Sequence, residues 1–303
     1  MVPEHLKEFA KMQVTNWTNS AIKALKMQEN KDYVLKQNKK GQTIIAIVDY
    51  INTGIVEKQT VWQNGLHQFL QIKHNLRLTA ESLPSCFIST RAYLKLYKQD
   101  SIFGLTGTLG SLESRNFIAK VYSFDFVFIP TFKPKLLKIW PTILSQNKDE
   151  WLKSIIESVI KETKNNRAVL VINLTIEHVN TIKDILITEI PESKIRKYSR
   201  NDWLEENESV KMPVQPGEII LATNLAGRGT DLIVSEQLEN TEGLHVCVTF
   251  LPENSRIEEQ AFGRTARQGK KGTAQLILNR EELGNIFEID QLKQFRDYKE
   301  KMY

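Results

Sequence analysis

From about residue 101 onward, short apolar runs alternate with amphipathic stretches, and this alternation limits the folds open to the chain more than any other feature. Trp151, Leu152, Ile155, Ile156, Val159 and Ile160 recur at helical spacing, and the run Ala168-Val169-Leu170-Val171-Ile172 follows as a strand. Ile176, Val179, Ile182 and Leu186 mark one side of a second helix. Further strands are predicted at Glu218–Ala222, Leu244–Thr249 and Thr273–Leu278, with a helix from about Ser255 to Ala266 between the last two. A β-α-β order of this kind predicts an α/β fold, a mostly parallel sheet with helices on both faces. In such sheets ligands collect at the carboxyl ends of the strands, so a site is expected there.

The first hundred residues read differently. Residues 1–40 have loose helical spacing of Leu6, Phe9, Trp17, Ile22 and Leu25, then a lysine-rich turn ending in Lys39-Lys40-Gly41. Thr43–Val48 is a short apolar run ending in Asp49, the pattern of a buried strand with a polar group at its carboxyl end. Residues 60–100 return to helical spacing. A chain of 303 residues with 41% hydrophobic and 25% charged residues is long enough for one large or two ordinary domains and has a soluble globular composition. It contains no internal repeat and no low-complexity tract.

The formal charge of +5 and pI near 9.0 suit contact with phosphates, acidic lipid head groups or nucleic acid, and require none of them. Cys86 and Cys247 are too few and too far apart for a metal site, which points to a reducing compartment. The start, Met1 to Glu8, is charged where a secretory signal needs an apolar core, and no apolar run approaches the ~18 residues of a membrane-spanning helix. A cytoplasmic location, at most peripheral to a membrane, is expected.

Two segments carry chemistry. Leu221-Ala222-Thr223-Asn224-Leu225-Ala226-Gly227-Arg228-Gly229-Thr230-Asp231 follows a predicted strand. Its glycines permit a sharp turn or close backbone approach to a phosphate, and Arg228 and Asp231 supply opposite charges. A tight turn with a local Arg–Asp salt bridge is the structural alternative. The second segment runs from Gln260 through Gly263-Arg264-Thr265-Ala266-Arg267-Gln268-Gly269 to Gly272. With Arg264 and Arg267 three apart on the predicted helix, both guanidinium groups are expected on one face, aimed at one target. Planar, permanently charged forks are suited to the charge that spreads over a transferring phosphoryl group. A solvated basic face is the alternative.

Taken together, these segments resemble the fifth and sixth helicase-type motifs of the SecA preprotein translocase family. Gly65-Leu66-His67-Gln68, Gly104-Leu105-Thr106-Gly107-Thr108 and Gly243-Leu244-His245-Val246 are also similar to SecA segments, in the same order, and so is Ser20–Ala24 followed by Asp32-Tyr33-Val34. The resemblance covers roughly residues 15–290. General RNA helicases share the fifth and sixth motifs only in looser form.

The resemblance implies two RecA-like domains clamping ATP and Mg²⁺, whose movements push secretory preprotein through a membrane channel. It implies that residues 1–40 are a helical lead-in returning from the preprotein-binding insertion. Residues 41–100 would end the first motor domain, 101–290 would form the second, RecA-like one, and 291–303 a helical tail. Arg264 and Arg267 match the arginine-finger positions. Asp231 matches a nucleotide-contacting position, with Gly229 and Thr230 shaping its loop and Arg228 and Gln268 as further nucleotide contacts. Asp49 matches the acidic start of a first-domain segment.

The departures set limits on these expectations. The 303 residues contain no Gly-x-x-x-x-Gly-Lys-Ser/Thr cradle and no Asp-Glu pair ending an apolar strand, so ATP is expected in a shared site completed by a first motor domain, which also supplies the Mg²⁺ ligands. The family's arginine-rich stretch after Val-Asp is replaced here by Tyr50–Glu57, with no arginine. The long scaffold helix is expected to be missing, and these residues alone are expected neither to turn over ATP nor to move a polypeptide. Two other classes remain: the C-terminal half of a nucleic-acid helicase, with nucleic acid the lesser expectation as partner, and a non-catalytic binding module.

Other features read as structural. His67 and His245 are expected to be hydrogen-bonded structural histidines, and Trp140, Trp151 and Trp203 packing residues. Lys133, Lys135 and Lys138 are expected at a solvated edge, and Lys270-Lys271-Gly272 in a solvent-facing turn. The surface that meets a first motor domain is expected to expose apolar patches.

Overall fold

The computed structural model describes residues 2–38, 40–49, 55–57, 60–81, 88–98, 101–198, 212–223, 232–284 and 288–302. The chain divides into two compact units, Met1–Phe87 and Ile88–Tyr303.

The first unit is not wholly helical. Helix α1 (Lys7–Lys26) is followed by strands β1 (Tyr33–Gln37), β2 (Thr43–Asp49) and β3 (Ile55–Glu57) and by helix α2 (Leu66–Lys73). The strands form an antiparallel sheet with β2 central, Tyr33 opposite Ile47 and Val48 opposite Val56. The apolar run Thr43–Val48 is thus a strand as expected, but in this small antiparallel sheet. The helical reading of residues 1–40 missed β1, whose Tyr33 is fully buried with Ala24, Ile45, Leu66 and Leu70. Of the five residues whose spacing suggested a buried side, Leu6, Phe9, Ile22 and Leu25 are exposed. Among the described residues between 60 and 98, only α2 and the five-residue α3 (Thr90–Leu94) are helical. His67 is buried, and that burial holds its pKa below the usual imidazole value. Tyr33 Oη lies 2.8 Å from His74 Nε2, and Lys73 Nζ reaches Met27 O at 2.7 Å and Ala24 O at 3.1 Å, capping the last carbonyls of α1.

Among the described residues the second unit holds seven parallel strands: β4 (Leu136–Ile139), β5 (Ile143–Ser145), β6 (Val169–Asn173), β7 (Ile195–Tyr198), β8 (Ile219–Thr223), β9 (His245–Val248) and β10 (Lys271–Asn279). Their spatial order is β4-β10-β9-β6-β8-β7, with β5 also pairing β10. The interleaved helices are α4 (Leu112–Tyr122), α5 (Lys148–Lys164), α6 (Ile176–Leu186), α7 (Glu236–Glu239), α8 (Ser255–Phe262) and α9 (Ile289–Met302).

Period-2 burial explains the layering. Leu170, Ile172, Val246, Val248, Leu276 and Leu278 point to one face, where Ala261 and Phe262 of α8 cover them. Val169, Val171, Ile219, Leu221, Cys247 and Ile277 point to the other, under Trp151, Ile155 and Val159 of α5 and Val179 and Ile182 of α6. Trp151 is fully buried and its Nε1 donates to the carbonyls of Ile277 at 3.0 Å and Thr249 at 3.2 Å. The Cys247 thiol is buried, which pushes its pKa up to about 12 and makes it inert.

Side-chain caps start the helices where the sequence supplies Ser, Thr or Asn. Asn147 Oδ1 accepts from Glu150 N at 2.9 Å, Thr175 Oγ1 from His178 N at 3.1 Å and Asn254 Oδ1 from Ile257 N at 2.9 Å. The parallel α/β fold expected from the alternation is present. The sequence reading missed β4, β5 and β7.

Candidate functional site

Helix α8 ends at Phe262, four residues before the expected end, so Arg264 and Arg267 do not share a helical face. The chain instead makes an irregular turn with Ala266 at φ 53°, Gln268 at φ 55° and Gly269 at φ 77°. Left-handed backbone at two non-glycine residues is held by the surroundings. Thr265 Oγ1 donates to Leu244 O at 2.7 Å, and Arg267 Nε to Gly263 O at 2.8 Å. Gly272 is required beneath: a Cβ there would lie 2.0 Å from Thr265 Oγ1.

The turn also lies at the edge opposite to the one expected. Helix α8 leaves the carboxyl end of β9 and runs back across the sheet, so the residues after it arrive beside Leu244 and Lys271, at the amino ends of β9 and β10. The carboxyl-end expectation is corrected for Arg264 and Arg267 by this antiparallel return of the helix.

Two cavities flank the turn. One, of about 560 Å³, is walled by Thr106, Gly107, Thr108, Lys135, Gln260, Gly263, Arg264 and Arg267. Across it Gln260 Nε2 donates to Thr108 Oγ1 at 2.9 Å. The other, of about 400 Å³, is walled by Leu232, Ile233, Leu244, Arg264, Arg267 and Gln268 among others. Arg264 is 7% exposed and lines both; Arg267 is half-buried and Gln268 exposed. Arg228, Gly229, Thr230 and Asp231 lie outside the described residues, as do Cys86 and Trp203. Leu232, next in sequence after Asp231, stands in the smaller cavity.

Beneath the turn is a buried polar network that the sequence reading did not identify. Glu162 and Arg167 form an ion pair at 2.6 Å, both nearly inaccessible to solvent. Arg167 Nε donates to Gly243 O at 3.1 Å, and its Nη2 to Glu242 O at 3.1 Å and Thr273 Oγ1 at 2.7 Å. An arginine can only donate, so Thr273 accepts from it and gives its own proton to His245 Nδ1, 2.7 Å away. His245 is fully buried; desolvation first, then Arg167 and Lys161, lower its pKa to about 3 and keep it neutral. Its ring packs against Trp140 at 4.8 Å, and Lys161 lies over the Trp140 ring.

Gly243 adopts φ 71°, and a Cβ there would sit 2.2 Å from Lys271 O, so the Gly-Leu-His segment serves this close approach of β9 to β10. The basic residues nearby are partly paired rather than simply solvated. Lys270 bonds Glu239, and Glu242 receives Lys271 at 3.3 Å and Lys138 at 3.7 Å, which holds its carboxyl below the usual range. Lys271 opens β10 rather than lying in a turn. Among the described residues no cluster of His, Cys, Asp or Glu suits a metal ion, and no helix is long and apolar enough to cross a membrane.

An all-parallel sheet covered on both faces, with an arginine-bearing turn at one edge, is a RecA-like α/β domain. Residues 141–242 match the family model of the SecA P-loop domain, and residues 1–71 that of the SecA preprotein cross-linking domain. The protein translocase subunit SecA of Halothermothrix orenii is 30% identical over 288 residues, covering 94% of this chain and 32% of that protein. That of Solidesulfovibrio magneticus is 32% identical over 272 residues, covering 89% and 31%. A solved DEAD-box helicase, Mss116 bound to ssRNA, covers 53% of this chain and 31% of its own at 19% identity, with a TM-score of 0.41. The chain belongs to the SecA family of protein translocase subunits. It spans about a third of the length of the curated relatives it matches.

Proposed function

We propose that this chain supplies the second nucleotide-clamping domain of a SecA-type, ATP-driven protein translocation motor. The observation that carries this reading is the cavity of about 560 Å³ in which Thr106–Thr108 and Gly263–Arg267 face one another. Both segments resemble SecA motifs and are far apart in sequence, yet they wall a single space.

The groups present fit the terminal phosphates of ATP: two guanidinium forks and the Lys135 ammonium, beside the Thr106 and Thr108 hydroxyls. Arg264 and Arg267 act as arginine fingers in this reading, stabilising negative charge on the transferring phosphoryl group. Arg228, Gly229, Thr230, Asp231 and Gln268 contribute the remaining nucleotide contacts of this half. ATP supplies the free energy of hydrolysis, and its phosphate cradle and Mg²⁺ ligands come from a first motor domain, because the 303 residues contain no Gly-x-x-x-x-Gly-Lys-Ser/Thr sequence. Residues 1–71 belong to the surface that meets the preprotein, on the strength of their match to the preprotein cross-linking domain.

The experiment is calorimetric titration of the chain with Mg·ATP, alone and with a separately produced SecA first motor domain. The reading expects weak or no binding alone and tighter binding in the mixture than to the first domain by itself. Tight binding by this chain alone, or no gain on mixing, contradicts it.

A further inference from the structure

We propose that the buried Glu162–Arg167 pair is a positioning device for the arginine turn, acting through the amino ends of β9 and β10. The inference rests on the role given above to Arg264 and Arg267, but its first test does not.

A continuous line of contacts carries it. Glu162, in the last turn of α5, orients the Arg167 guanidinium at 2.6 Å. Three further hydrogen bonds from that fork, to Gly243 O, Glu242 O and Thr273 Oγ1, fix the approach to β9 and the start of β10 together. Between the residues so held lies Leu244, whose carbonyl accepts from both Thr273 N at 3.3 Å and Thr265 Oγ1 at 2.7 Å. Thr265 sits between Arg264 and Arg267 in sequence. The position of the Leu244 carbonyl therefore sets where the arginine turn is anchored, and Arg167 sets the position of that carbonyl.

The chemistry of the pair favours this role over simple stabilisation. A buried ion pair contributes little net stability compared with apolar residues of the same shape, because two charges must be desolvated. A planar fork with its bonds directed to three separate segments does what an apolar residue cannot, fixing relative position and orientation. Lysine, a point charge on a flexible stem, does not reproduce it. Gly243 and Gly272 complete the device, since a Cβ at either would force β10 or the turn away.

Hydrogen–deuterium exchange in peptides covering 263–270 and 169–173 tests the proposal in the full chain. Arg167→Gln cuts the line at its origin and Thr265→Val at its end, the latter leaving the ion pair intact. Both are expected to speed exchange in 263–270 by about tenfold while 169–173, in the central strand β6, stays protected. Arg167→Lys is expected to behave like Arg167→Gln. Unchanged exchange in 263–270 in both variants, or rescue by lysine, overturns the proposal. Equal acceleration in both peptides also overturns it, since that is loss of the fold rather than of position. If Arg167→Gln does not fold, Thr265→Val and Glu162→Gln carry the same comparison.

A second readout links the device to turnover. In hydrolysis assays with an added first motor domain, Arg167→Gln is expected to lower kcat about tenfold with KM for ATP within about twofold, as for a group felt mainly in the transition state. An exchange effect without any change in kcat leaves the positioning intact and removes the arginine-finger reading instead. A change in KM alone contradicts the proposed route to catalysis.

Discussion

Gln260 donates to Thr108 across 2.9 Å, joining the last turns of α8 to a loop 152 positions earlier in the chain. That single contact closes one side of the cavity beside Arg264 and Arg267. Gln260→Ala removes one neutral hydrogen bond, worth about 1 kcal/mol, so the account expects roughly a fivefold loss of reconstituted ATP turnover. Steady-state hydrolysis at saturating ATP measures it, and unchanged turnover counts against the cavity being the working site.

The close approach at Gly243 makes a sharp prediction. Gly243→Ala meets both a left-handed backbone, φ 71°, and the carbonyl of Lys271 at 2.2 Å. A loss of about 3 kcal/mol is expected from combined strain and overpacking. Gly104→Ala, where nothing lies within 4 Å, is expected to stay within about 0.5 kcal/mol of the parent. Urea melts of both variants make the comparison.

Two buried histidines give stability a pH dependence of definite sign. The folded pKa of His245 lies at about 3, well below the ordinary 6.5, and that of His67 is also lowered. The unfolded chain therefore takes up protons below pH 6.5 that the folded chain refuses. Stability is fully present above that pH and falls as the pH drops towards 3, by up to about 1.4 kcal/mol per pH unit for His245 alone. His245→Gln keeps an acceptor for Thr273 and is expected to flatten the slope between pH 6.5 and 5, above the range where carboxylates titrate. A slope identical to the parent's contradicts the neutral, buried state of His245.

Glu258 on α8 holds both Lys293 and Arg296 of α9 at 2.6 Å. Its replacement by alanine removes the more buried of the two carboxylates that pair with Arg296, which is nearly inaccessible, and leaves it the more exposed Asp297 at 2.8 Å. A loss of about 3 kcal/mol is expected. It should appear first as faster amide exchange in 289–302, and protection there equal to the parent's refutes the docking role of this carboxylate.

The second unit leaves several large apolar side chains open to solvent, as the sequence reading anticipated in kind. Leu105 is 96% exposed and Phe132 97%, with Val127 and Ile129 nearly as open. Sedimentation of the chain is expected to show concentration-dependent self-association, reduced by Leu105→Ser with Phe132→Ser. A monomer at all concentrations contradicts it.

The parallel sheet was legible because its central strands are runs such as Val169–Ile172 that have no place outside a covered interior, and because Trp151 to Ile160 keep a strict helical period. Strand β4 escaped notice because its four residues, Leu136-Leu137-Lys138-Ile139, are a short run broken by a lysine and set between Pro134-Lys135 and Pro141, too short to read as a strand. Strand β1 was hidden by the lysines and glutamines that follow Tyr33. At the site, Arg264 and Arg267 were legible as residue types, and their placement was not. Where α8 ends depends on Thr265 meeting Leu244 O, a contact between residues 21 positions apart that no local period reports. The Arg167 network was silent for the same reason: one arginine before an apolar strand resembles any solvated cation until β9 and β10 are brought beside it.

The most direct measurement is ATP hydrolysis by the chain mixed with a SecA first motor domain, with and without Arg264→Ala plus Arg267→Ala. The account predicts turnover well above that of the first domain alone, falling by about 10³-fold or more in the double variant. Turnover that does not rise on mixing, or that survives loss of both arginines, contradicts the central claim that this turn completes the catalytic site.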